Sequence, residues 1–150
     1  MTKALSTREV WLVRNGMLAD HRELEALFQR LLDAFAANAR EDTQALWTEL
    51  QHRLISHLEA EEQLLFPHFA AVNPAEVEAL KEEHRQLRRQ LDELGVGVDL
   101  KLVRAEVAKA FIEALEAHAC REDALLYQWA DEAADAATRR TLAQRFTSLG

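Results

Sequence analysis

The chain has 150 residues, and its four glycines and two prolines are too few for the many turns of β-sandwiches and barrels. Because 26 acidic residues oppose 18 basic ones, the formal net charge is −8 and we expect no nucleic-acid partner. No apolar run approaches the roughly 18 residues of a membrane span, so no membrane partner is expected. The single cysteine, Cys120, and the lack of a signal-peptide pattern in the first residues favour a cytoplasmic setting.

The first predicted elements are a short turn and a long helix. Ser6 and Glu9 have capping-box spacing and open a turn that Asn15-Gly16 is expected to break. A helix is then predicted over Met17–Ala39. Its apolar stripe advances in steps of three and four residues: Leu24, Phe28, Leu31, Leu32 and Phe35.

The second predicted helix covers Thr43–Ala71, with Asp42 as its cap. Pro67 is expected to kink it, because proline lacks the backbone N–H and crowds the carbonyl of the preceding turn. Asn73 followed by Pro74 then predicts the start of a third helix, since an asparagine cap and a proline in the first turn are a strong start signal.

The third helix is predicted to end near Leu94, because Gly95 and Gly97 follow it. Asp99 can cap a fourth helix that reaches about residue 129 or 130. The remaining segment, residues 136–149, predicts a shorter fifth helix.

Four long helices with short connections predict an all-α fold, an up-down four-helix bundle with a short N-terminal segment and a C-terminal fifth helix. We expect one domain over residues 1–150, with the bundle core at about 17–130. An apolar stretch near the start of the fourth helix is compatible with either a homodimer contact or core: Val96, Val98, Leu100, Leu102 and Val103.

Histidines and glutamates interrupt the apolar stripes of all four helices. The second and fourth helices each carry a histidine followed four residues later by a glutamate, so each pair points to one side of its helix. The first and third helices each place one histidine a heptad from an apolar stripe residue. The six residues are His21, His57, Glu61, His84, His118 and Glu122.

These residues belong to an internal repeat. Asp20-His21-Arg22 matches Glu83-His84-Arg85, and residues 57–66 match residues 118–127. Two halves with the same pattern predict a pseudo-twofold bundle with one histidine on each helix. Helix lengths counted from the connecting turns bring the six side chains to the same level within roughly one turn.

Such a cluster predicts a metal site, because burying it without a cation would cost free energy comparable to the stability of a domain, ~5–15 kcal/mol. Imidazole with carboxylate suits iron, and zinc or manganese as substitutes. Two glutamates among four histidines fit a dinuclear centre. Both glutamates would bridge, His21 and His57 would bind one metal, and His84 and His118 the other. One or two positions remain for an oxo or hydroxo bridge and an exogenous ligand.

The same segments resemble the hemerythrin-like family, the HHE cation-binding domain, over essentially the whole chain. The matching elements are Asp20-His21-Arg22, His57-x3-Glu61-Glu62 running into Leu65-Phe66-Pro67, Glu83-His84-Arg85, and His118-x3-Glu122-Asp123. The resemblance implies two Fe ions in a non-haem site of a four-helix bundle, held by the six residues named above.

The chain departs from the oxygen-carrying hemerythrins at two positions. Leu80 stands where they have a further histidine, which leaves one more open metal position. They bridge with an aspartate five residues after the last histidine, a spacing that Asp123 has, whereas the internal repeat favours Glu122.

Other polar residues are predicted to lie outside the ligand set. His52 is expected at the surface and His68 too far along its helix, while Glu25 is expected beside the site or in solvent. Tyr127 is interpreted as a packed aromatic rather than a redox tyrosine, and Cys120 as inert. Glu49-x2-His52 has the spacing of ferritin-like di-iron motifs, but those bundles need two copies.

The leading functional hypothesis is a non-haem di-iron protein. It would bind or sense a small diatomic ligand, dioxygen or nitric oxide, or it would hold iron. One alternative is a di-iron oxidase, peroxidase or iron–sulfur repair activity, although a non-enzymatic role is favoured. Another is a metal-stabilised interaction module without a redox role.

Overall fold

A computed structural model describes residues 12–149, with side-chain positions through residue 146. These residues form seven helical segments: α1 (Val13–Ala36), α2 (Arg40–Leu64), α3 (Phe66–Phe69), α4 (Pro74–Asp99), α5 (Ala105–Ala124), α6 (Leu126–Ala133) and α7 (Ala136–Leu149). The predicted all-α bundle with a C-terminal helix is confirmed. The predicted turn at Ser6 and Glu9 lies outside the described residues.

The four long helices pack in a ring. α1 contacts α2 and α5, α4 contacts the same two helices from the other side, and α7 lies against α1 and α2. In the part of the chain that is described, no helix is long and apolar enough to cross a membrane.

The first helix begins earlier than predicted, at Val13 instead of Met17, and it includes Gly16. The reason is a contact from a distant element, because the side chain of Asp131 on α6 accepts hydrogen bonds from the backbone N–H groups of Val13, at 2.6 Å, and Arg14, at 3.3 Å. These bonds satisfy N–H groups that a helix start leaves without partners. The predicted break at Asn15-Gly16 was therefore wrong.

The connection between α1 and α2 lies three residues earlier in the chain than predicted. α1 ends at Ala36 rather than Ala39, and Asn38 takes the left-handed conformation with a φ of 57°. α2 begins at Arg40, so Asp42 lies in its first turn and is not its cap. An acidic residue there still stabilises the helix through the positive end of the helix dipole.

The predicted kink at Pro67 is replaced by a break two residues earlier. α2 ends at Leu64, and α3 begins at Phe66 with Pro67 in its first turn, where a missing N–H costs nothing. In the second half of the chain, the fourth predicted helix is likewise divided at Leu125, between α5 and α6.

The third long helix, α4, begins at Pro74 as predicted, and Asn73 Oδ1 accepts a hydrogen bond from the N–H of Glu76 at 3.2 Å. Its predicted end near Leu94 was wrong, because α4 continues to Asp99. Gly95 and Gly97 both lie within the helix, and both have negative φ.

Close packing explains the two glycines of α4. A Cβ on Gly95 would lie 2.7 Å from the indole of Trp47, and one on Gly97 would lie 2.9 Å from the carbonyl oxygen of Leu102. The glycines therefore make room for a neighbouring ring and for the returning chain, and they do not end the helix.

The start of the fourth long helix was also predicted wrongly. Asp99 is the last residue of α4, and α5 begins at Ala105. Lys101, in the connection, has a φ of 59°, a left-handed conformation that turns the chain back toward α5.

The apolar stretch around this connection is divided between core and surface. Val98 is buried and Val103 packs against the core, whereas Val96, Leu100 and Leu102 are 58%, 71% and 61% exposed. The homodimer remains a prediction.

Two apolar clusters fill the bundle, one toward each end. One cluster includes Phe28, Leu54, Leu91 and Phe111, and the other includes Met17, Phe66, Leu80 and Leu126. Along α1, along α4 and along α5 continued into α6, the predicted polar residues lie between residues of the two clusters. The core therefore has a polar layer between two hydrophobic ones.

Candidate metal centre

The polar layer holds all six predicted ligand residues. α1 contributes a histidine, α2 a histidine and a glutamate, α4 a histidine, and α5 a histidine and a glutamate. Each residue is at most 3% exposed: His21, His57, Glu61, His84, His118 and Glu122. The structure thus brings the six together in the interior.

The two glutamates lie between the histidines, with one oxygen toward each half of the layer. Glu61 Oε2 lies 3.2 Å from His57 Nε2, and Glu61 Oε1 lies 3.1 Å from His84 Nε2. Glu122 Oε1 lies 3.4 Å from His21 Nε2, and Glu122 Oε2 lies 2.9 Å from His118 Nε2. Each carboxylate therefore connects both histidine pairs.

The layer divides into two groups that share the glutamates. One group is His21, His57, Glu61 and Glu122, and the other is Glu61, His84, His118 and Glu122. Within each group, the four ligand atoms lie within 4.8 Å of one another, close enough to hold one metal ion. The division into pairs is the one that the internal repeat predicted.

Carboxylates outside the layer orient three of the four imidazoles. The Nδ1–H of His57 donates to Asp20 Oδ2 at 2.7 Å, that of His84 to Glu62 Oε2 at 2.7 Å, and that of His118 to Glu83 Oε1 at 2.6 Å. A proton held on Nδ1 leaves the Nε2 lone pair directed at the centre, as metal-binding histidines require.

Arginines hold these carboxylates in place. Arg53, on α2, donates to Asp20 at 3.1 Å, and Arg88 donates to Glu62 at 2.6 Å. Arg121 donates to Glu83 at 3.1 Å. The orientation of the imidazoles therefore depends on ion pairs that join different helices.

His21 lacks this arrangement. Its Nδ1 is buried and has no hydrogen-bond partner in the range 12–149 that the structure describes. Asp123 follows Glu122 as Glu62 follows Glu61, but it pairs with Arg14 at 2.5 Å instead of His21. Between the two bridging candidates from the sequence, the structure brings Glu122 into both groups and directs Asp123 to the surface.

Carboxylates strongly perturb the histidines of the metal-free layer. Burial by itself would lower the pKa of His84, but the adjacent carboxylates of Glu122, Glu61 and Glu62 raise it to about 11. The same balance raises the pKa of His57 to about 10 and that of His118 to about 9.

By contrast, burial and the neighbouring His57 lower the pKa of His21. Without a metal, positive charge on three imidazoles offsets the buried carboxylates.

Tyr127, on α6, also reaches the site. The sequence interpretation of Tyr127 as a packed aromatic residue missed its contact with the two glutamates. Its hydroxyl is fully buried and lies 2.5 Å from Glu61 Oε2 and 2.7 Å from Glu122 Oε1. Burial, together with the two carboxylates, raises the pKa of Tyr127 well above its usual value of 10.

The donor set fits a metal ion. His118 Nε2 lies 2.9 Å from Glu122 Oε2, yet among the described residues neither His118 Nε2 nor Glu61 Oε1 has a well-aligned hydrogen-bond partner. Buried imidazole nitrogens and carboxylate oxygens that converge in this way are stabilised either by protons on the imidazoles or by a cation that takes the place of those protons. Imidazole and carboxylate donors of this kind suit iron.

The other polar residues considered in the sequence lie outside the two groups. Glu49, His52, His68 and Cys120 are exposed. Glu25 is half-buried, and burial and the charge of Glu116 raise its pKa. The ferritin-like spacing of Glu49 and His52 therefore has no structural counterpart in the described core.

Comparison with known families agrees with this geometry. The model of the hemerythrin HHE cation-binding domain matches residues 13–130, which is most of the chain. The chain belongs to the hemerythrin HHE family. No curated protein and no solved structure gave a significant match. As in the family's name, the centre of this hemerythrin-like bundle is a cation-binding arrangement, with buried His/Glu groups suited to a metal such as iron.

Several residues of the centre were missed in the sequence. Asp20 and Glu83 each precede a predicted ligand and recur in the repeat, which was a usable signal for a shared role. Tyr127 aligns with Phe66 in the repeat, so a hydroxyl at an otherwise apolar position was a second signal.

Proposed function

We propose that the protein is a non-haem di-iron protein that binds a small ligand such as dioxygen or nitric oxide, or holds iron. His21 and His57 would hold one iron and His84 and His118 the other, with Glu61 and Glu122 shared. The observation that carries the proposal is the orientation of the two glutamates, each of which directs one oxygen to each histidine pair.

Bound iron would supply an open coordination position for the small ligand. The residues of the chain orient the imidazoles and keep water out of the layer. Asp20, Glu62 and Glu83 keep a proton on Nδ1 of three imidazoles, so that Nε2 stays free to bind metal. The two apolar clusters on either side of the layer exclude water from it.

A surface cavity beside the second histidine pair has room for a small ligand. It has a volume of about 240 Å³, and its lining includes Glu83, Leu87, Ala114, Ala117 and His118. Cavities that bind drug-sized molecules measure roughly 300–1,000 Å³. The cavity therefore gives a diatomic molecule or a single ion a short route to His118.

Metal analysis of two histidine variants tests the proposal. Protein produced with iron should contain about two irons per chain, and His57→Ala should lose at least half of them and unfold at a lower temperature, because metal-binding energy is folding energy here. His52→Ala is the matched control, since His52 is exposed on the same helix and should change neither quantity. Equal iron content in the wild type and His57→Ala, or stoichiometric zinc in place of iron, would contradict the proposal.

Titration of the reduced, anaerobic protein with nitric oxide separates ligand binding from iron holding. A ligand-binding centre should reach saturation near one nitric oxide per centre with the iron retained. Release of the iron on titration, or no spectral change at all, would favour iron holding.

A further inference from the structure

The two halves of the metal centre differ at one aligned position. Residues 57–66 match residues 118–127, and this alignment pairs Phe66 with Tyr127. Both rings are buried, but only Tyr127 carries a hydroxyl. Phe66 packs its ring 5.0 Å from that of His84 and offers no donor atom to the second group.

The hydroxyl of Tyr127 lies close to all four donor atoms of the first group. It is 2.5 Å from Glu61 Oε2 and 2.7 Å from Glu122 Oε1. It is also 3.1 Å from His21 Nε2 and 3.5 Å from His57 Nε2. Donor atoms that share one metal ion at about 2.1 Å lie roughly 3 Å from their neighbours, so the phenolic oxygen occupies the position of a further donor.

The single hydrogen of the phenol does not by itself account for this position. A phenol has one hydrogen, which it can give to Glu61 or to Glu122, but both carboxylate oxygens lie within 2.7 Å of it. The second short contact needs either a proton on that carboxylate or a cation between the oxygens, because two unprotonated oxygen atoms at this distance repel each other. A cation shared by the three oxygens satisfies both contacts with the carboxylates ionised.

We propose that Tyr127 is a fifth protein ligand of the metal held by His21 and His57. When the metal binds, the O–H bond of Tyr127 breaks, its proton leaves to solvent and an oxygen–metal bond forms, without transfer of electrons. This inference rests on the proposed di-iron function. It makes the two metal positions unequal, with five protein donors on the Tyr127 side and four on the side of His84 and His118, where the surface cavity lies.

Resonance Raman spectroscopy of the ferric protein tests this directly, because Tyr127 is the only tyrosine in the chain. Iron-loaded wild type should show a visible phenolate-to-iron absorption band and tyrosine ring modes enhanced by excitation into it. These modes should shift when the protein is made with ring-deuterated tyrosine.

Two variants complete the test. Tyr127→Phe reproduces the side chain of the other half, and it should lose the visible band and the enhanced modes completely while keeping about two irons per chain. Phe66→Leu, the matched control, should keep both signals.

Iron-loaded wild type without enhanced tyrosine modes would overturn the inference and leave the di-iron proposal standing. Wild type that takes up no iron would overturn both. A visible band that persists in Tyr127→Phe would also overturn the inference. If Tyr127→Phe does not fold, the wild-type spectrum decides by itself, since no other phenol is present.

Discussion

Carboxylates that never face the centre control how the histidines present their nitrogens to it. Glu62 is the clearest case, because it accepts a hydrogen bond from His84 Nδ1 and ion-pairs with Arg88 at 2.6 Å. Burial would raise the pKa of Glu62, but His84 and Arg88 hold it at about 2, so the carboxylate stays ionised at any physiological pH. At the scale of single residues, the site thus depends on groups that are not ligands.

Glu62→Gln should lower metal affinity about 10- to 100-fold, because an amide holds the imidazole orientation and basicity of His84 less well. Competition with a chelator for zinc would measure this. Glu82→Gln is the control, since Glu82 is an exposed carboxylate of α4 that pairs with Arg85. Equal losses in the two variants would contradict the assignment.

Four histidines and two glutamates were predictable at the residue scale because helical spacing is local. A polar residue on an apolar stripe is visible in the sequence whatever the rest of the chain does. The contact of Tyr127 with Glu61 was not, because it joins residues 66 positions apart. The partner of Asp123 was equally hidden, since Arg14 lies 109 positions away.

The helices themselves show where local signals were overruled. Gly95 and Gly97 were expected to end a helix, yet α4 passes through both. Glycine costs a helix about 1 kcal/mol relative to alanine, and the contacts that replace the missing Cβ offset that cost. Helix ends were therefore predicted well where a side chain caps its own turn, as at Asn73, and poorly elsewhere.

Gly97→Ala should destabilise the protein, although alanine has a higher helix propensity than glycine. A Cβ 2.9 Å from the carbonyl oxygen of Leu102 forces the backbone to move. Overpacking lowers the free energy of unfolding by about 1–3 kcal/mol, and the higher helix propensity of alanine raises it by about 1 kcal/mol. Urea unfolding should therefore measure a net destabilisation of up to about 2 kcal/mol.

Gly16→Ala provides the contrast for this prediction. Gly16 is also helical, but it lines a surface cavity, so alanine there should raise stability by up to about 1 kcal/mol. Stabilisation by both substitutions would show that packing does not explain the glycines of α4.

Across the whole molecule, the polar layer couples folding to protons and to metal. His57, His84 and His118 have pKa values of about 10, 11 and 9 in the metal-free fold, above the usual histidine value near 6.5. Their charged pairs stabilise the metal-free protein fully below about pH 6.5, and this contribution is lost as the pH rises through about 9 to 11.

Metal-free protein should therefore unfold at a progressively lower temperature between pH 7 and pH 11, as thermal melts would show. The metal-loaded protein should change much less over the same range, because its imidazoles are already neutral and bound. A metal-free protein whose unfolding temperature stayed constant up to pH 11 would contradict this account of the layer.

The sequence alone determined the helical architecture, the internal repeat and the six side chains of the centre. These features follow from the 3.6-residue period of the helix and from the low content of glycine and proline, which are visible over a few residues. Only the tertiary structure decided the capping of α1 by Asp131, the passage of α4 through its glycines, the turn of Asp123 toward Arg14 and the entry of Tyr127. Each of these depends on which distant segments meet, and no local spacing encodes such contacts.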